Sequence, residues 1–214
     1  MRRLFSALIL TAVVAAAIQA QSSRPKPPGE DWVQLFNGKD LTGWVEVGHE
    51  KWQVEDGTIH GFGITKEYGY LKTEKTYKDF NLTLKFKCEG VGGNSGVFFH
   101  VDFKPGTADV SQGPQFEIDC TIGHHTAGVY DVGRGWTVWP SPENELVVHQ
   151  DDWNEYLLKV DGNRYIARLN GVQMIDYTDP RPSAWDGYLA LQLHSGGKGN
   201  FRFKDIWIRD LTKR

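Results

Sequence analysis

Apolar and polar side chains alternate at every second residue in a series of short runs, and this rhythm restricts the fold more than any other feature of the chain. It appears in 82–88 (LTLKFKC), 97–101 (VFFHV), 115–119 (QFEID), 156–160 (YLLKV), 164–169 (RYIARL), 188–194 (YLALQLH) and 201–208 (FRFKDIWI). A period of two belongs to strands with one face buried and one wetted. Gly, Asn, Asp or Pro bounds the runs, and Asp161-Gly162 and Asn170-Gly171 are dipeptides suited to tight hairpins. No segment keeps a helical period beyond about two turns, which argues against a helical bundle or a βαβ fold. Many short strands with 13% aromatic residues predict an all-β fold of two stacked antiparallel sheets.

The N-terminus reads differently. Arg2 and Arg3 precede an apolar stretch from Leu4 to Ile18 that exits at Ala20, the pattern of a signal peptide over 1–20. Residues 21–30 are rich in Pro and Ser and read as a flexible tether, and 31–214 is expected to form one domain. No other run approaches the ~20 apolar residues of a transmembrane segment. A soluble product, secreted or periplasmic, is the expectation. The formal charge of −3 becomes about −5 without Arg2 and Arg3, a sign that disfavours nucleic acid and anionic lipid as partners. The two cysteines, Cys88 and Cys120, both fall on the apolar parity. A bridge between neighbouring strands and a pair of buried thiols fit equally well.

Parity also sorts the polar side chains. In 115–119, Phe116 and Ile118 go to the core while Gln115, Glu117 and Asp119 project from the opposite face. In 188–194, Leu189, Leu191 and Leu193 take the core, leaving Tyr188, Ala190, Gln192 and His194 outward. In 97–101, Phe98 and His100 share a face. Three runs thus offer polar groups to what reads as one surface. The stretches 104–114 and 123–142 read as long loops of the kind that wall binding sites, and Trp136 and Trp139 offer flat apolar surface for sugar rings. Trp44, Trp52, Trp153 and Trp207 lie in or beside strand patterns and read as core. His124 and His125 lack the spacing of a known metal motif, so no metal site or cofactor is assigned, although loop oxygens leave a structural calcium or other divalent ion open.

Taken together, several motifs carry a resemblance. They are Leu35-Phe36-Asn37-Gly38-Lys39-Asp40-Leu41-Thr42-Gly43-Trp44, Gly93-Asn94-Ser95-Gly96-Val97, Gln115-Phe116-Glu117-Ile118-Asp119, Thr126-Ala127-Gly128-Val129-Tyr130, Leu191-Gln192 with His194, and Phe201-Arg202-Phe203-Lys204-Asp205-Ile206. The chain resembles the 3-keto-disaccharide hydrolase domain family over essentially all of 32–211. The resemblance implies a concanavalin-A-like jelly roll of the lectin/glucanase type, a concave sheet that holds carbohydrate, and cleavage of glycosides oxidised at carbon 3. Where the family often has Glu then Gln, this chain has Gln115 then Glu117, and it has His100 where relatives commonly have Arg.

A ketone at carbon 3 acidifies the proton on carbon 2, so the glycosidic bond at carbon 1 can break by elimination, after which water adds. That route needs a base, an acid at the leaving oxygen and donors for the enolate. Glu117 is the expected base, with His194 or His100 as acid or enolate donor and Asp119 either as a further catalytic candidate or as an anchor for the loop beginning at Thr121. Asn94, Gln115 and Gln192 are expected to orient hydroxyls, with Trp136 and Trp139 stacking on the sugar. The alternative is a non-catalytic, lectin-like glycan-binding module. A further one is a laminarinase-like retaining endoglucanase, whose Glu-x-Asp-x-x-Glu strand Glu117-Ile118-Asp119 begins to match, but its last acid would fall at Ile122.

Overall fold

A computed structural model describes residues 27–90, 93–197 and 199–213. The predicted signal peptide and most of the tether lie outside the described residues. The first strands are β1 (Val33–Gln34), β2 (Trp44–Gly48), β3 (Lys51–Glu55), β4 (Thr58–Phe62), β5 (Gly69–Tyr77) and β6 (Phe80–Cys88). Next come β7 (Asn94–Phe103), β8 (Val110–Gln112), β9 (Pro114–Asp119), β10 (Val129–Asp131) and β11 (Gly135–Val138). After the one-turn helix α1 (Pro142–Glu145) follow β12 (Asn154–Asp161), β13 (Arg164–Leu169), β14 (Val172–Thr178), β15 (Gly187–Leu193) and β16 (Asn200–Asp210). No helix among the described residues is long and apolar enough to cross a membrane.

The strands form two antiparallel sheets, as the alternation predicts. One runs β14-β13-β12-β6-β16-β4-β3 with β1 also on β16, and the other β11-β10-β9-β7-β15-β5-β2 with β8 on β7. The core lies between them. Leu82, Leu84 and Phe86 from β6 and Tyr156, Leu158 and Val160 from β12 meet Phe99, Phe116, Ile118, Leu189, Leu191 and Leu193 from the second sheet. Each large apolar side chain sealed there contributes about 1.5–3 kcal/mol. The Asn170-Gly171 dipeptide forms the β13–β14 turn, whereas Asp161 closes β12 opposite Arg164 and the β12–β13 turn falls one residue later, on Gly162-Asn163. Asn170 and Gly171 take φ of 50° and 83°, the left-handed pair that a two-residue hairpin requires.

Cys88 and Cys120 form a disulfide. It crosses from the end of β6 to the residue after β9, so it ties the two sheets together rather than neighbouring strands. The 123–142 stretch, read as loop, folds into the β10–β11 hairpin. Trp153, read as core, is only half-buried and lies under the Lys204 ammonium, 3.8 Å from its ring centroid. Trp44, Trp52 and Trp207 are buried.

Candidate functional site

The second sheet turns one face to the core and the other to a cavity of about 590 Å³. The side chains of its floor follow from register. β9 pairs with β7 so that Asn94 faces Asp119, Gly96 faces Glu117 and Phe98 faces Gln115, and Gln115 in turn faces Tyr130 of β10. On the other flank Gln192 of β15 pairs with Tyr70 of β5. Asn94, Gln115, Glu117, Gln192, His194 and Trp136 all line this cavity, with Tyr68, Tyr70, Tyr130, Lys104 and Asp109. Three stretches of sequence some twenty to seventy residues apart thus meet on one surface; parity predicted the polar groups of β9 and of the β15 stretch there, but not Asn94.

Parity did not predict that this face would be closed off. Every residue of β9 is buried on both faces, and Glu117 retains only 2% of its exposure. Its two oxygens are both occupied. Asn94 Nδ2 donates to Oε1, and Gln115 Nε2 donates to Oε2 at 2.8 Å. Burial pushes the carboxyl up to about 8, a rise to which nearby Asp119 adds and which the amide donors of Asn94 and Gln115 oppose. Because the groups that bond its oxygens are neutral amides, desolvation dominates. The carboxylate therefore changes charge within the range where a general base must work.

Three buried amide oxygens, Asn94 Oδ1, Gln115 Oε1 and Gln192 Oε1, accept no hydrogen bond within the protein. Buried acceptors without partners are unfavourable by about 1–3 kcal/mol each, a cost that hydrogen-bond donors entering the cavity would relieve. Gly96 makes the arrangement possible, since a Cβ there would lie 2.2 Å from Gln115 Oε1. Tyr70 is buried and held protonated, pushed up to about 12 chiefly by desolvation, while a side-chain hydrogen bond with Gln192 opposes the rise. Because Gln192 Oε1 has no partner, its amide nitrogen is the donor in that bond, which leaves the Tyr70 proton free.

The walls are equally specific. Trp136 makes an edge contact with Tyr130 at 5.4 Å and with His125 at 5.0 Å. Arg134, in the turn of the β10–β11 hairpin, donates to buried Asp179 at 3.0 and 2.5 Å and to Asp131 at 3.1 Å. That ion triad fixes the hairpin carrying Tyr130 and Trp136. The facing wall is a turn over 104–109, closed by Lys104 N–H to the Asp109 carbonyl at 2.9 Å.

Three expected residues are placed elsewhere. His100 has φ of 52°, and the register between β7 and β15 shifts there, with Val101 and Phe98 facing Tyr188 and Ala190. This bulge reverses the parity. His100 turns into the interior, fully buried against Phe80 and Phe99, with Nε2 2.6 Å from the Lys78 carbonyl. Asp119 does not line the cavity but anchors the following loop, accepting from Thr121 N–H at 2.8 Å and pairing with His124 Nδ1 at 3.0 Å. Trp139 is 52% exposed and stacks on His125 outside the cavity. His125 pairs with Glu145 at 2.8 Å, so the adjacent histidines face different carboxylates. Among the described residues no group of three or more His, Cys, Asp or Glu side chains is placed to hold a metal ion.

Sequence reasoning missed Tyr68, Tyr70 and Tyr130. The signal for the first two was present in Tyr68-Gly69-Tyr70, two aromatics at the period of a strand with a glycine between them.

No curated protein matches the chain. Among solved structures it is similar to a Parabacteroides distasonis protein described as a candidate glycosyl hydrolase, at 24% identity and a TM-score of 0.64, covering 85% of this chain and 94% of that one. It is also similar to a carbohydrate-binding module from Bacillus subtilis (14% identity, TM-score 0.60, 78% and 96% covered). A legume lectin-like domain from Entamoeba histolytica gives 15%, 0.55, 80% and 91%. At these identities the likeness is one of fold, a jelly-roll sandwich that hydrolase-like and lectin-like proteins share. Residues 31–209 match the model of one family throughout, so the chain belongs to the 3-keto-alpha-glucoside-1,2-lyase-like domain family.

Proposed function

We propose that the protein cleaves 3-keto-glycosides, 3-keto-disaccharides among them, by elimination across carbons 1 and 2 followed by hydration. The observation that carries this reading is Glu117. It is a carboxyl sealed at the floor of a saccharide-sized cavity, gripped by two amides and titrating near 8. Binding alone can use a carboxylate as an acceptor for sugar hydroxyls, but it does not call for one whose pKa is raised into the neutral range. A base that must take a proton from carbon needs a raised pKa, because proton transfer improves as base strength rises.

In this reading the sugar hydroxyls donate to Asn94 Oδ1, Gln115 Oε1 and Gln192 Oε1, and Trp136 and Tyr130 wall the ring. Glu117 takes the proton from carbon 2, the carbon 1–oxygen bond breaks, and the free Tyr70 proton faces the developing enolate oxygen. Water then adds at carbon 1. The family's description as 1,2-lyase-like supports the elimination half. The Cys88–Cys120 disulfide supports a secreted or periplasmic location, where such bonds persist.

Incubation with a 3-keto-disaccharide should release the free sugar, and Glu117→Gln should lower turnover at least a hundredfold, within the range for loss of a general base. Binding without release by the unaltered protein would instead make the domain a glycan-binding module. Unchanged turnover in the variant would remove Glu117 from the chemistry.

A further inference from the structure

Glu117 can carry only one of the two protons that this reaction moves. The same floor holds a second proton-bearing pair. His194 follows β15, and its N–H donates to the Asn94 carbonyl at 3.3 Å. Its Nδ1 lies 3.0 Å from the Ser195 carbonyl oxygen. A carbonyl only accepts, so Nδ1 carries a proton. Nε2 is thereby turned to the Tyr68 hydroxyl, 3.2 Å away.

Tyr68 is set in place rather than loosely exposed. Its ring meets His194 edge-on at 4.8 Å and stacks on Tyr70 at 6.4 Å. The segment leading to it is tied to buried Glu50, which accepts from Ile64 N–H at 2.5 Å, from Thr65 N–H at 3.0 Å and from the Thr65 hydroxyl. Gly69 leaves room for that anchor, as a Cβ there would lie 2.4 Å from Glu50 Cβ. Tyr68, His194, Asn94 and Glu117 therefore succeed one another across the floor. His194 and Glu117 are two strand spacings apart, on the order of 10 Å, which leaves a sugar ring between them.

We propose that Tyr68 and His194 form the proton shuttle of the reaction, protonating the leaving oxygen in the elimination and recovering a proton from the water that adds. The inference rests on the function proposed above. In the elimination, Glu117 accepts the carbon 2 proton as the carbon 1–oxygen bond breaks. The Tyr68 hydroxyl gives its proton to the departing oxygen, and the His194 imidazolium replaces it through Nε2. The products are the free alcohol and an unsaturated 3-keto sugar, with Glu117 protonated and His194 neutral. In the hydration, water bonds to carbon 1 and passes a proton to Tyr68, whose own proton moves to His194. Glu117 then returns its proton to carbon 2. One water is consumed, and every group ends as it began.

Leaving-group dependence tests the shuttle. The probes are a 3-keto-disaccharide, whose sugar alkoxide must be protonated to leave, and a 3-keto nitrophenyl glucoside, whose nitrophenolate leaves unaided. Tyr68→Phe keeps the ring and removes the oxygen. It should lower kcat/KM on the disaccharide by ~10²–10⁴-fold and on the nitrophenyl substrate by about threefold or less. His194→Gln should show the same split. Equal losses on both substrates, or none on the disaccharide, would overturn the shuttle while leaving the elimination standing. Failure of the unaltered protein to cleave either substrate would overturn both.

Discussion

Replacing Glu117 by Gln should stabilise the protein while it abolishes turnover, and the gain should depend on pH. The ordinary glutamate value is 4.5, and in the fold Glu117 is pushed up to about 8 by burial. Between those values the unfolded chain has lost this proton while the native protein keeps it, so the native state binds more protons and stability falls as pH rises. The contribution of protonated Glu117 is fully present below pH 4.5 and is lost as pH climbs through about 8. At ~1.36 kcal/mol per pH unit the whole interval is worth about 5 kcal/mol, of which about 3 kcal/mol has gone at pH 7. Gln cannot ionise and escapes this loss. Turning the Asn94 or Gln115 amide presents its unpaired oxygen to the new amide, so the hydrogen-bond rearrangement is worth only about 1 kcal/mol. Urea unfolding of both proteins at pH 4, 7 and 9 measures the difference, with all other titrating groups common to the pair. The variant should match the parent within about 1 kcal/mol at pH 4 and exceed it by about 2–3 kcal/mol at pH 7. A difference that does not change with pH, or a parent that gains on the variant as pH rises, would refute the argument that Glu117 is a desolvated acid.

Other perturbations separate the site from its supports. Gly96→Ala pushes its Cβ onto Gln115 Oε1; that flexible side chain swings away, so circular dichroism should show an intact fold while turnover falls about tenfold as Glu117 loses a donor worth ~1.5 kcal/mol. Arg134→Met leaves Asp179, which has no exposed surface, without its cation, and denaturant unfolding should show a loss of about 3–5 kcal/mol. Replacing Cys88 and Cys120 by Ala opens a bridge across a sequence separation of 32, and loop-closure entropy predicts a loss of about 3–4 kcal/mol. Dithiothreitol should reproduce that loss in the parent and leave the double variant unaffected.

The sequence made the sheets legible because alternation is a local property that survives in the fold wherever a strand has one apolar face. It placed Gln115, Glu117, Gln192 and His194 on one surface for the same reason. It failed at His100 because a single residue with φ of 52° inverts parity, and a bulge leaves no mark in a five-residue run. β10 and β11 were missed because strands of three and four residues, one holding Gly135 and Trp136, are too short to establish a period. Asp119 could not be told from Glu117 by pattern, since both project to the same side. What separates them is the Thr121–His124 loop, which captures the one and leaves the other facing the cavity.

The burial of Glu117 follows from how its strand is held. An ionised acid in a dry site favours local opening of β9, which would let water reach it. The structure opposes that motion from the far sheet: Tyr156 of β12, itself fully buried, donates its hydroxyl to the Glu117 carbonyl. Three residues further on, the Cys88–Cys120 bridge fixes the end of the strand to β6. Between them the Thr126 hydroxyl donates to the Asp119 carbonyl and accepts from the Asp119 N–H at 2.9 Å. Each restraint acts on backbone or lies outside the cavity, so none competes for the carboxyl oxygens. The pKa of Glu117 and the rigidity of β9 are therefore coupled. Loosening Tyr156 or the disulfide should let water in and bring the pH dependence of stability back toward that of an ordinary glutamate, even with every residue of the cavity unchanged.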